Sequence, residues 1–139
     1  MRPHHKSLIG GLIILAAMTM GIVVAAGPAG DLRACSAPYF HDGDAIRCGR
    51  KGRSMRLYAI DAPEMPGACR AGRQCTPGDP IASRDHLVRL AAGRTVEYRQ
   101  VDIDRYGRFV VQAFADGQDL SCAQVAAGFA VERYGKLNC

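Results

Sequence analysis

The chain has 139 residues, a length that fits one domain and leaves little room for a second. Its formal charge is only +5, falling to +3 once Arg2 and Lys6 are set aside with the leader, so the total selects no class of partner. With five Tyr, four Phe and no Trp, the chain is poorly equipped to hold nucleic acid chiefly by stacking.

The first 26 residues are expected to stand apart from the fold. "MRPHHK" is a short basic region, and Leu8 to Ala26 is an uncharged, largely apolar run followed by small residues. That pattern reads as a secretory signal cleaved after Ala26, giving a secreted or periplasmic protein. The alternative is an uncleaved membrane anchor through residues 8–26, because the run nearly reaches the ~20 residues that span a bilayer. In either case the domain lies outside the cytoplasm. Residues 27–36 read as a polar, Gly-rich linker and 37–139 as the folded domain.

Short β-type runs at Tyr39–His41 and Ala45–Cys48 are joined through "DGD", a hairpin signal. "GRKG" is a second turn, leading into a strand expected over Met55–Ile60. Pro63 to Asp79 is a long loop rich in Gly and Pro, and such length in a compact domain points to function or to a staple. Asp79 is placed to cap a helix and Pro80 suits its first position. Ile81, Leu87, Val88 and Ala91 form its expected buried stripe, and Gly93 stops it. "RTVEYRQV" and "RFVVQAFA" read as two strands around the polar "DIDRYG". Asp119 then caps a short helix, Leu120 to Ala127, ended by Gly128. The order β-β-β-α-β-β-α, with no internal repeat, suits a small barrel with helices packed on it.

All six cysteines, Cys35, Cys48, Cys69, Cys75, Cys122 and Cys139, follow the apolar run. An even count in a small exported domain points to disulfides, with 15 full pairings open. Cys69 with Cys75 is the first choice, because it closes a short Gly- and Arg-rich loop. A zinc site is disfavoured, since the chain has no CxxC pair.

Three polar clusters remain: Asp42/Asp44, Asp61/Glu64 and Asp104 to Arg108. Each alone is an ordinary solvated turn or strand exit. Gathered at one end of a barrel, Asp44, Asp61 and Glu64 would repel one another unless a cation sat among them. Hard oxygen ligands of this kind suit Ca²⁺ or Mg²⁺. Arg56 and Arg108 add guanidinium groups that grip phosphate bidentately. A metal, paired arginines and a free carboxylate are what phosphodiester hydrolysis requires.

The segments "HDGDAIRC", "MRLYAIDAPE" and "DRYGR", in this order and spacing, resemble the staphylococcal nuclease (thermonuclease) family over roughly Tyr39 to Glu132. The resemblance implies a mainly β fold with α: a five-stranded OB-type barrel with two packed helices, here without the family's further C-terminal helix. It implies a Ca²⁺-dependent nuclease acting on DNA and/or RNA toward 3′-phosphorylated products, and a monomer is expected. By the same resemblance Asp44 and Asp61 are metal ligands, with the Ala62 backbone carbonyl as a third. Arg56 and Arg108 bind phosphate, Glu64 is the general base, Asp42 lies near the metal and Tyr106 beside the nucleotide site. Arg56→Ala or Glu64→Gln is expected to lower turnover by orders of magnitude with the fold intact.

Several positions depart from the family pattern. Ala45 replaces a common threonine, and His41 stands where an aliphatic residue is usual. Cys139 is expected to tie the tail to Cys122 or to another strand. Arg70 and Arg73 in "CRAGRQC" are either phosphate contacts or solubilising groups. Strict alternation puts Arg56 and Asp61 on opposite faces of one strand, so their convergence needs a twist or bulge near Ile60. The competing function is a catalytically silent OB-type module that binds nucleic acid or a protein. It gives no chemical reason for the full set of arginines and carboxylates.

Overall fold

A computed structural model describes residues 30–139; the expected signal or anchor at 1–26 lies outside the described residues. The elements are β1 (Arg33–Ala34), β2 (Pro38–Tyr39), β3 (Ala45–Cys48), β4 (Met55–Leu57), β5 (Ile60–Asp61), α1 (Pro80–Ala91), β6 (Val96–Ile103), β7 (Phe109–Ala115), β8 (Gln118–Asp119), α2 (Leu120–Ala126) and β9 (Val131–Glu132).

The main sheet runs β1-β6-β7-β4-β3-β2, with β8 on β7 and a separate β5-β9 pair. β4 and β7 are parallel, and the other neighbours are antiparallel. The two ends of this path, β1 and β2, are halves of one chain segment bent at residues 35–37, where Ala37 has φ 48°. That segment pairs with β6 through its first half and with β3 through its second. The sheet is thereby curled on itself, as in an OB-type barrel of five strand directions.

The segment read as a linker, 27–36, thus contributes Arg33–Ala34 to the sheet. The next residue, Cys35, donates its backbone N–H to Val96 at 2.8 Å. Cys35 is buried and disulfide-bonded to Cys48 of β3, so it fastens the bend to the barrel. In β7 the alternation is plain, with Val111, Ala113 and Ala115 buried. They meet Ile46, Leu57, Ile60, Leu87 and Leu120 in one core.

Asp79 caps α1 by accepting from Ile81 and Ala82, and Pro80 opens the helix. Its buried residues are Ser83, Leu87 and Ala91, whereas Ile81 and Val88 of the expected stripe are exposed. The helix is turned so that a polar residue, Ser83, faces the DGD turn. Asp119 caps α2 through the Cys122 N–H. No helix follows β9 among the described residues. Instead Cys139 is bonded to Cys122, which lays the tail against α2. No helix of the described residues is long and apolar enough to cross a membrane.

Candidate active site

The strand entering from Met55 breaks after Leu57. Ala59 adopts φ 60°, a left-handed conformation that costs an L-residue about 1–2 kcal/mol, before the chain is extended again in β5. Beyond this kink the chain pairs with β9 rather than continuing β4. Side-chain alternation does not carry across such a turn, so Arg56 and Asp61 meet. One guanidinium nitrogen, Arg56 Nη2, lies 2.7 Å from Asp61 Oδ1 and 3.0 Å from Asp44 Oδ2.

A polar seam places Asp44. A Cβ on Gly43 would lie 1.8 Å from Ser83 Oγ and 2.9 Å from the Ala62 Cβ, so only glycine permits this approach of the turn to α1. The Gly43 carbonyl accepts from Gln124 Nε2 of α2 at 2.8 Å, and the same nitrogen donates to the Ser83 carbonyl at 3.1 Å. His86 Nδ1 faces the other end of the Gln124 amide, and Ser83 Oγ donates to the Phe129 carbonyl at 2.7 Å. Both helices therefore clamp the DGD turn. The Ala62 N–H then donates to Asp44 Oδ2 at 3.0 Å, joining the turn to the strand exit.

Asp61 is only 1% exposed, and four donors surround it. Arg56 and Arg73 reach Oδ1 at 2.7 and 3.0 Å; Thr76 and Arg133 reach Oδ2 at 2.6 and 2.9 Å. Burial opposes its charge, yet the Thr76 hydroxyl and the Arg56 and Arg73 guanidinium groups hold Asp61 below the usual carboxylate value. Asp44 behaves in the opposite way. Burial pushes its carboxyl up to about 6, Arg56 offsets part of this, and the nearby charges of Asp42 and Asp61 add to it. Glu64 is half-buried and accepts from Arg73 Nη1 at 2.7 Å.

Arg108 is held elsewhere. Its turn is closed by Asp104, which accepts from the backbone N–H groups of Tyr106 and Arg108 and from Arg108 Nε at 2.7 Å. The Tyr106 ring is exposed and has the Arg70, Arg105 and Arg108 guanidinium groups 5.8, 4.8 and 5.6 Å from its centre. Asp44, Asp61, Ala62, Arg56 and Glu64 thus form one cluster. Arg108 stands outside it, on Asp104 and the Tyr106 ring; the Cys69–Cys75 loop carries Arg70 toward that same ring and Arg73 onto the carboxylates.

Sequence reading missed Arg133 and the part played by Arg73. The stapled Arg-rich loop was a signal for Arg73. Arg133 carried none, because it arrives only through the long-range pairing of β5 with β9.

The residues fit a divalent cation. Asp44 and Asp61 already converge on a single positively charged nitrogen, so their oxygens face a common point where a cation would be shared between them. Among the described residues no group of three or more His, Cys, Asp or Glu side chains converges as a metal site. A cation here would therefore rest on two carboxylates completed by backbone oxygen and water, as Ca²⁺ accepts.

Sequence comparison selects the same region. Residues 54–138, more than half of the chain, match the staphylococcal nuclease homologue family. The chain belongs to that family. The matched part of this nuclease homologue includes Arg56, Asp61, Ala62, Glu64 and Arg108 but begins after Asp44, whose membership of the cluster rests on geometry. Two curated relatives, each named "Uncharacterized endonuclease", come from Escherichia coli O157:H7 and Escherichia coli. Each is 38% identical over 92 residues, covering 64% of this chain and 54% of the relative. The nuclease homologue thus spans about half the length of the curated relatives it matches.

Proposed function

We propose that this protein is an exported, Ca²⁺-dependent nuclease that hydrolyses phosphodiester bonds of DNA, RNA or both. The observation that carries the reading is the convergence of Asp44 and Asp61 on Arg56 Nη2, with Glu64 three residues beyond Asp61. Asp44, Asp61 and the Ala62 carbonyl would hold the cation, whose chemistry when bound is to polarise a phosphate oxygen. Arg56 supplies permanent positive charge for the dianionic transition state, and Glu64 orients the attacking water and takes its proton. Arg108 adds a second guanidinium. Its bond to Asp104 is a partly exposed pair within one turn, weak enough for a phosphate to recruit the arginine.

A single chain carries every group in this scheme, so a monomer suffices. Three disulfides support an oxidising compartment, hence secretion or a periplasmic place, with or without an anchor at residues 8–26.

The test is to incubate the oxidised protein with single-stranded DNA and RNA in Ca²⁺, in Mg²⁺ and in chelator, beside Arg108→Ala. Cleavage that needs Ca²⁺ and is lost in the variant is the expected result. A folded protein that binds these strands in a salt-sensitive way but cuts neither would point instead to a silent OB-type binding module.

A further inference from the structure

The loop closed by Cys69–Cys75 lies outside the groups that the family pattern nominates, yet it reaches them. The disulfide spans a sequence separation of 6, and the residues it encloses are exposed or half-buried, so it adds little to the core. It presents Arg73, whose two terminal nitrogens are divided between Glu64 Oε1 at 2.7 Å and Asp61 Oδ1 at 3.0 Å. Thr76, just beyond the disulfide, holds the other oxygen of Asp61 at 2.6 Å. A planar guanidinium can bridge two carboxylates in this way, whereas an ammonium is a single point charge.

A carboxylate offers about four acceptor sites, and four donors already fill those of Asp61. A cation shared with Asp44 must therefore displace a guanidinium. The oxygen of Asp61 that shares Arg56 with Asp44 is Oδ1, where Arg73 also sits; Arg133 is on Oδ2. Arg73 is also more exposed than Arg56, 33% against 13%, and keeps Glu64 as a partner when it leaves Asp61.

We propose that Arg73, presented by the Cys69–Cys75 loop, is a positioning residue that yields its place on Asp61 to the divalent cation and remains on Glu64 to fix that carboxylate toward the attacking water. This rests on the nuclease reading. It adds a residue whose effects on cation binding and on turnover have opposite signs.

The test uses the oxidised full chain, with Arg73→Ala, Arg73→Lys and the double change Cys69→Ser/Cys75→Ser. Ca²⁺ affinity is measured by calorimetry without substrate, and kcat and KM are measured separately on single-stranded DNA. In Arg73→Ala, Ca²⁺ should bind several-fold more tightly while kcat falls on the order of tenfold or more, with KM little changed. Lysine should restore part of kcat, and the double serine variant should move both quantities as alanine does. A merely structural role would weaken Ca²⁺ binding together with kcat. Unchanged or weaker Ca²⁺ binding in Arg73→Ala, or kcat within about twofold of the parent, overturns the proposal. A parent protein that binds Ca²⁺ but cuts nothing refutes the nuclease reading alone, and the affinity comparison still decides the exchange. A parent that binds no Ca²⁺ overturns the exchange as well.

Discussion

Arg56 is the residue on which the charge of the site turns, because it faces two buried carboxylates at once. Removing it takes from Asp44 the only cation paired with it among the described residues, while Asp61 keeps Arg73, Thr76 and Arg133. The loss therefore falls mainly on Asp44 and should be about 1–3 kcal/mol. Arg56→Ala should keep the fold, as expected, but with reduced stability. Denaturant melts in chelator should show this loss, and Ca²⁺ should recover part of it by standing in for the guanidinium. Glu64→Gln behaves differently, since this half-buried side chain makes its ion pair with Arg73 at the surface. It should lower kcat about 10²–10⁴-fold with little change in melting temperature, and near-normal turnover in a folded variant would contradict the general-base role. At Asp104 burial opposes the charge, but the Arg108 backbone and side chain hold the carboxyl below its usual value. A depressed carboxylate contributes above its unfolded value and loses that contribution as pH falls through the folded one. The Arg108 Nε–H signal in NMR should accordingly sharpen into a bonded position at neutral pH and lose it in acid.

Among the elements, the DGD turn and the kink at Ala59 make the cluster. Gly43→Ala should cost about 1–3 kcal/mol through overpacking against Ser83 and should shift Asp44, so Ca²⁺ affinity and stability should fall together. Ala59→Val places a β-branched residue at φ 60° and should cost roughly 1–3 kcal/mol while parting Arg56 from Asp61. The helix caps at Asp79 and Asp119 and the alternation of β7 were legible in the sequence, because each depends on residues a few positions apart. The kink was legible only as a necessity, because alanine gives no local sign that it will adopt a left-handed conformation. Of the stripe expected on α1, Leu87 and Ala91 are buried, whereas Ile81 and Val88 were misplaced because apolar pattern was taken as the guide. Ser83 and Gln124 are buried for their hydrogen bonds, and such partners appear only when α1, α2 and the DGD turn are brought together.

Across the whole molecule, disulfides hold what a small barrel leaves loose: the bend between β1 and β2, the loop bearing Arg73, and the tail after β9. The Cys69–Cys75 pairing was anticipated from its short loop, and Cys122 was among the partners expected for Cys139. Losing the Cys122–Cys139 bond by a double serine change should lower stability by about 2–4 kcal/mol in denaturant melts, without altering kcat at temperatures where the variant remains folded. The site itself is balanced by guanidinium groups from three distant parts of the chain, Arg56, Arg73 and Arg133, and a divalent cation would enter by exchange with that positive charge. The most direct measurement is single-turnover cleavage of a short oligonucleotide across a Ca²⁺ titration, for the parent protein and for Asp44→Asn. Asparagine suits this comparison because it matches aspartate in size and its amide oxygen can still accept from the Ala62 N–H and Arg56, so the fold should survive the change. The account predicts cleavage that saturates with Ca²⁺, vanishes in chelator and needs far more Ca²⁺ in the variant. Cleavage that persists in chelator, or a variant with an unchanged Ca²⁺ requirement, would contradict it.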